Sequence, residues 1–190
     1  MPISAELAAW ASRVTFDDLP ADVVRSTKLR VLDVIGLSLA GAETPFGRSV
    51  RQAAVALGSG GHCRIFGTGD SVNVGMAAFA NGAFSQALEY DDTHNESIVH
   101  MSSPSVSAAL AIADTTRVSG RDLITAIAVG NEISCRAGAR EKRGDDAALR
   151  RPSWMQKLCL RAVDPALEDA RGEAAADAGR ARHLPGGQAE

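Results

Sequence analysis

The chain has 190 residues, three cysteines and a formal charge of -3, and 45% of its residues are hydrophobic. This length allows one domain with a sizeable core, or part of a larger one. The small negative charge gives no electrostatic reason to expect nucleic acid or an anionic membrane as a partner. The cysteines are odd in number and widely spaced, which indicates reduced thiols rather than a disulfide framework or a zinc knuckle. With no leader pattern and no apolar run of bilayer length, we expect a soluble cytoplasmic protein.

Apolar residues recur at helical spacing along most of the first 138 residues, which predicts an all-α helical bundle. The second helix should begin at Pro20 and end at Gly41, and its nearly all-round apolar surface predicts deep burial. One short extended segment is expected at residues 62–66. The predicted helices cover residues 5–14, 20–41, 45–57, from 71 or 73 to 88, 103–117 and 122–135.

A polar stretch at residues 87–104 separates two of these helices and is called the central loop below. It holds four carboxylates, two of the four histidines and several hydroxyl groups, but no Lys or Arg. A polar, ionisable loop held between helices is where catalytic and binding groups are usually placed. The central loop is therefore the candidate site.

Metal binding is one hypothesis for the central loop, because carboxylate oxygens and imidazole nitrogens occur there at close spacing. The spacing matches no named metal signature. The candidate ligands are Asp91, Asp92, His94, Glu96 and His100.

General acid–base chemistry is a second hypothesis. A histidine beside carboxylates can move protons at neutral pH, and Thr93 or the loop's serines can donate hydrogen bonds to an anionic substrate. A third interpretation is purely structural: Asp91 or Asp92 caps a turn, Thr93 bonds locally and the histidines are solvated.

The composition changes after Gly138. Residues 139–190 hold ten of the 20 basic residues, yet Val163 is their only Val and they contain no Ile or Phe. Such a segment buries too little apolar surface to offset the entropy of ordering, so we expect weak helices or disorder. Its composition is also what a GC-rich gene gives when read out of frame. We therefore expect a frameshift or truncation near Gly138, with a genuine variable tail as the alternative.

The central loop resembles the signature of a known family. The pattern is Asn81-Gly82, then the run QALEYDDTH at residues 86–94, then His100 and Ser102-Ser103-Pro104 before an Ala-rich helix. It is similar to the 2-methylcitrate dehydratase (MmgE/PrpD) family, and segments 30–41 and 120–133 are similar to that family's other helices. The resemblance covers residues 5–138.

The family includes 2-methylcitrate dehydratases, cis-aconitate decarboxylases and an iminodisuccinate epimerase. The resemblance implies a lyase or isomerase without metal or cofactor, expected here as a carbon–oxygen hydro-lyase. Such an enzyme abstracts a proton next to a carboxylate of a small di- or tricarboxylate. The resemblance also implies a homodimer, a large helical domain and a smaller α+β lid domain, with the active site between the two domains.

Carried over residue by residue, the resemblance implies catalytic roles for Glu89, Thr93 and His100. Glu89 departs from the commoner Asp of the family pattern, which lengthens the side chain by one methylene. The polar neighbours expected to contact substrate are Asp91, Asp92, His94, Ser102 and Ser103.

The resemblance also indicates what residues 1–138 do not supply. A substrate with two or three carboxylates needs cations to hold it, and residues 65–116 contain no Lys or Arg. Residues 139–190 show no Phe-His-Pro type segment, and we expect them to contain no lid domain. We therefore expect an amino-terminal piece of an enzyme, with little or no activity alone.

Two other classes of function remain open. One is a non-catalytic helical interaction module, favoured by the small-residue helix faces. The other is a metal-dependent hydrolase that uses Asp91, Asp92, His94 and His100.

Overall fold

The computed structural model describes residues 3–95 and 97–143, and the predicted all-α fold is confirmed for them. Besides the helices, these residues form a short 3-10 helix at Phe16–Asp18 and two paired antiparallel strands, β1 (Cys63–Arg64) and β2 (Ser71–Val72). The helices are α1 (Ile3–Ala11), α2 (Ala21–Ala42), α3 (Pro45–Leu57), α4 (Val74–Gln86), α5 (Ser102–Ala113) and α6 (Gly120–Arg143). From residue 144 onwards, the predicted tail lies outside the described residues.

Local capping explains where several of these helices begin. The Thr44 side chain accepts a hydrogen bond from the Gly47 backbone, and Pro45 supplies a fixed φ at the first position of α3. The Asn73 side chain accepts from the Met76 backbone at the start of α4, so the cap is Asn73 rather than Ser71. The helix ends follow the prediction less closely: α4 ends two residues before Leu88, and α6 continues to Arg143.

Helix α4 lies at the centre of the bundle and packs against α2, α3 and α5. Its buried face is rich in small residues, with Ala77 and Ala80 completely buried beside Phe84. Small side chains let helix backbones approach closely. At Gly41 of α2, an added Cβ would lie 2.0 Å from the backbone oxygen of Phe84. This close contact fixes the position of α2 over the end of α4, from which the central loop leaves.

The prediction that α2 is deeply buried was wrong for half of its surface. Its buried residues form one helical stripe, while the Leu32 and Leu39 side chains are 69% and 47% exposed. The bundle packs against that one face of α2, so the apolar residues of the other face stay open among the described residues. None of the described helices combines the length and apolar character needed to cross a bilayer.

The two glycines of α2 should respond in opposite ways to alanine. Gly36 is exposed, with no atom within 4 Å of an added Cβ, so Gly36→Ala should raise the free energy of unfolding by about 0.5–1 kcal/mol. Gly41→Ala should lower it by at least about 1–3 kcal/mol, because the added methyl group meets the α4 backbone. Urea unfolding of both variants measures the difference. Equal stabilities would contradict the close helix contact.

Candidate functional site

The central loop runs from the end of α4 to the start of α5 and folds back on itself halfway. The His94 backbone N–H donates to the Val99 carbonyl at 2.9 Å, and the Ile98 N–H donates to the His94 carbonyl at 2.7 Å. Asp91, His94 and Ser97 are buried, whereas Glu89 and His100 are exposed. The fold-back thus sorts the polar side chains of one loop into an inner and an outer set.

Asp92 belongs to the inner set and is held by a buried ion pair. Its carboxylate contacts the Arg30 guanidinium of α2, and the two side chains are only 6% and 5% exposed. Ser102, the first residue of α5, donates to the same carboxylate through its backbone N–H at 3.1 Å and its hydroxyl at 2.6 Å. Asp92 therefore links α2 to the amino end of α5, where a negative charge is also favoured by the helix dipole.

The Ser102 hydroxyl joins a fourth element to this network. It accepts from Arg30 Nη1 at 3.2 Å and from Asn131 Nδ2 of α6 at 3.4 Å, while it donates to Asp92. Ser102 is 1% exposed and Asn131 is 5% exposed, so these bonds form away from water. The central loop is thereby fastened to α2, α5 and α6 at one buried point.

His100 belongs to the outer set and contacts Thr93 and the buried Asp91. His100 Nδ1 lies 3.3 Å from Asp91 Oδ1 and 3.4 Å from Thr93 Oγ1. The Asp91 side chain is 1% exposed and accepts from the Ser103 hydroxyl at 2.9 Å, whereas the His100 side chain is 42% exposed. An imidazole in contact with both a buried carboxylate and solvent is suited to proton transfer.

The loop's other histidine is in a different environment. His94 is 2% exposed, and its Nδ1 lies 2.6 Å from the Ser97 hydroxyl, within the fold-back of the loop. The Ser97 N–H also donates to this nitrogen at 3.3 Å. These contacts hold the loop together, and the predicted contact of His94 with substrate stays a prediction.

Glu89 sits in strained backbone on the outer face of the loop. Its φ is 55°, in the left-handed region that favours glycine, and its side chain is exposed. Ile98 has a φ of 53° and is 70% exposed. Strain of this kind costs about 1–2 kcal/mol per residue and often marks functional loops. The structure brings Thr93, His100 and Asp91 together, and it leaves the Glu89 side chain exposed at the entrance to the loop.

A metal site does not form among the described residues: no three His, Cys, Asp or Glu side chains of residues 3–95 and 97–143 are placed to share an ion. Asp92 turns inward to Arg30, and His94 turns inward to Ser97. Glu96, the remaining candidate ligand, lies outside the described residues. The described part of the chain thus offers no ligand cluster to the metal-dependent hydrolase hypothesis.

Asp33, one turn after Arg30 on α2, adds a further carboxyl beside the site. Partial burial raises its pKa, the nearby Arg30 charge opposes the rise, and the Asp91 charge adds to it. The folded protein therefore holds this proton more tightly than the unfolded chain does. The resulting stability is full below the unfolded pKa and is lost as the pH rises through the folded pKa.

Sequence reasoning missed Arg30 and Asn131, which reach the loop from α2 and α6. Arg30 belongs to the buried stripe of α2, with Thr27, Val34 and Ser38 at helical spacing on either side. A basic residue on an otherwise apolar or small-residue face requires a buried acid, and this was the available signal. Arg30 also lines an open cavity of about 320 Å³ between α2, α6 and the segment 10–19.

Comparison with known proteins agrees with this architecture. A family model described as the MmgE/PrpD N-terminal domain matches residues 5–153. The chain belongs to the MmgE/PrpD family. The match extends past Gly138, the expected end of the resemblance, and into residues beyond those the structure describes.

Two curated relatives of the chain carry functional names. The chain is 36% identical over 141 residues to a cis-aconitate decarboxylase of Aspergillus terreus (strain NIH 2624 / FGSC A1156), covering 72% of the chain and 29% of the relative. It is 32% identical over 144 residues to the cis-aconitate decarboxylase-like protein oryM of Aspergillus oryzae (strain ATCC 42149 / RIB 40), covering 72% of the chain and 30% of the relative. The chain therefore spans about 30% of the length of these relatives.

The buried pair can be tested against an exposed one. Arg30→Met leaves the Asp92 carboxylate buried without its counter-charge, so we expect the free energy of unfolding to fall by about 3–5 kcal/mol. Arg64→Met is the matched control, because Arg64 pairs with Asp114 while 77% exposed, and its loss should cost about 1 kcal/mol or less.

Adding Asp92→Leu to Arg30→Met should recover much of the lost stability, because no buried charge then remains unpaired. Chemical unfolding of the three variants measures these differences. Equal losses for the two single variants, or no recovery in the double variant, would contradict the assigned role of Arg30.

Proposed function

We propose that this chain forms the amino-terminal helical part of a lyase that acts on a small tricarboxylate of the cis-aconitate type. The observation that carries the proposal is the contact of the half-exposed His100 ring with Thr93 and the buried Asp91. The two relatives named above, a cis-aconitate decarboxylase and a cis-aconitate decarboxylase-like protein, support the substrate class. Cytoplasmic location and assembly as a homodimer remain part of the proposal.

The proposed chemistry is proton transfer at a carbon next to a carboxylate. In decarboxylation the carbon–carbon bond to the leaving carbon dioxide breaks, its electron pair stays on the substrate, and a proton is delivered to the resulting carbanion. His100 is the proton carrier, since its ring is open to solvent on one side. The Thr93 hydroxyl donates a hydrogen bond to a substrate oxygen, and Glu89 at the loop entrance provides a second acid or base.

Dehydration of a hydroxy acid such as 2-methylcitrate is the second candidate reaction. It is favoured by the run from Glu89 to Thr93, which resembles the dehydratase signature. Dehydration removes a proton next to a carboxylate and then expels hydroxide, so it uses the same proton carrier. The two reactions differ in the bond that breaks and not in the groups proposed here.

The central loop supplies no Lys or Arg to balance the negative charges of the substrate. A tricarboxylate is held best by cations, and bidentate arginines are the strongest such partners. Arg30 is the cation that reaches the central loop among the described residues, and its charge is matched by Asp92. We therefore propose that the full chain binds substrate weakly and turns over neither cis-aconitate nor 2-methylcitrate by itself.

Two measurements on the purified chain separate binding from turnover. Titration with cis-aconitate, followed by histidine NMR, should shift the His100 signals at millimolar concentration while His62, exposed near β1, stays unchanged. The same samples should show no loss of cis-aconitate and no release of carbon dioxide. Acetate at equal ionic strength controls for non-specific anion effects.

The outcomes have distinct meanings. A shift of His100 with cis-aconitate that acetate does not reproduce supports the substrate site. An unchanged His100 signal contradicts it. Turnover of either acid would contradict the proposal that the chain is inactive alone.

A further inference from the structure

The surroundings of one carboxylate oxygen of Asp91 constrain which ring nitrogen of His100 carries the hydrogen. The Asp91 side chain is 1% exposed, and its Oδ2 accepts from the Ser103 hydroxyl at 2.9 Å. Its Oδ1 is buried and accepts no hydrogen bond of good geometry from the described residues. The donor-capable atom placed near Oδ1 is His100 Nδ1, at 3.3 Å.

A buried carboxylate oxygen without a donor is costly, by about 1–3 kcal/mol or more for a charged group. A small rotation of the half-exposed His100 ring shortens the 3.3 Å contact and removes this cost, provided that Nδ1 carries the hydrogen. With Nδ1 unprotonated, its lone pair would instead face the carboxylate lone pairs. The burial of Asp91 thus selects one of the two neutral forms of the imidazole.

We propose that Asp91 is a positioning residue that holds His100 as the Nδ1–H tautomer, so that Nε2 is the atom that exchanges protons with substrate. This inference rests on the proposed function for its chemical meaning. When Nε2 gains a proton, the ring becomes a cation next to the ionised Asp91. When Nε2 gives the proton up, the ring returns to the neutral Nδ1–H form. The buried carboxylate of a Ser-His-Asp triad orients its histidine in the same way.

The tautomer has a consequence for Thr93 as well. Its Oγ1 lies 3.4 Å from the same Nδ1, so Thr93 accepts part of the Nδ1–H hydrogen bond rather than donating to the ring. Its own hydroxyl hydrogen is then available for a substrate oxygen. The two groups presented outward are therefore a proton acceptor at His100 Nε2 and a hydrogen-bond donor at Thr93.

The test is the nitrogen NMR spectrum of the histidine rings in the full chain, recorded at a pH where the rings are neutral. We expect His100 to show a protonated Nδ1 and an unprotonated Nε2. In Asp91→Asn the side-chain amide can donate to Nδ1, so His100 should change to the Nε2–H form, while the signals of the buried His94 stay in place. Ser103→Ala is the matched control: it removes the other bond to Asp91 and should leave the tautomer of His100 unchanged.

A wild-type His100 in the Nε2–H form overturns the proposal, as does an Asp91→Asn protein with native His94 signals and an unchanged His100. If Asp91→Asn does not fold, the wild-type and Ser103→Ala spectra decide alone, because the proposal requires the Nδ1–H form in both. These spectra do not depend on turnover or on substrate binding. The two tests are therefore independent. The tautomer of His100 can be determined even if the chain does not bind cis-aconitate, and the cis-aconitate titration can be interpreted even if the tautomer prediction is wrong.

Discussion

The pairing of Arg30 with Asp92 is the interaction on which the rest of the site depends. Two charges that are more than nine-tenths buried are tolerated only because they neutralise each other and are further bonded by Ser102. The pair joins the middle of α2 to the first half of the central loop, and Ser102 connects it to the start of α5. Without it, the loop would have to expel a carboxylate from the bundle, and Asp91, one residue earlier, would lose its buried position.

Fixing Asp92 inward also determines what neighbouring residues can do. Asp91 and Asp92 are adjacent in sequence, yet Asp92 bonds to Arg30 and Ser102, whereas Asp91 faces Ser103 and His100. The two histidines divide in the same manner, since His94 bonds within the loop and His100 opens to solvent. A stretch with many ionisable groups thus yields a small outward-facing set, with the remaining polar groups used to hold it in place.

The sequence predicts those parts of the structure that depend on nearby residues. Caps and turns are local, so α3 at Pro45–Leu57 follows from residue type and spacing, which also limit the cap of α4 to Ser71 or Asn73. The all-α class follows from helical periodicity, and the central loop follows from its polar composition. The exposure of one apolar face of α2 cannot be predicted in this way, because periodicity shows which residues are apolar but not which face of the helix is covered.

Contacts between residues far apart in the chain are the second part of the structure that the sequence does not predict. Nothing in the spacing of the chain pairs Arg30 with a loop some sixty residues later, because that contact depends on how α2 crosses α5 and α6. The resemblance identified Glu89, Thr93 and His100, but it did not distinguish the inward Asp92 from the outward His100. This distinction came from burial and from hydrogen-bond partners, which only the folded chain provides.

The most direct test of the account is native-state hydrogen exchange at the Ser102 amide, which donates to Asp92. The account predicts that this amide exchanges as slowly as the core amide of Phe84 in α4. In Arg30→Met, exchange at Ser102 should become faster by a larger factor than exchange at Phe84, because the loop is released before the bundle. Exchange of Ser102 as fast as that of exposed Asn95 in the wild-type chain, or equal changes at Ser102 and Phe84 in the variant, would contradict the anchoring role of the Arg30–Asp92 pair.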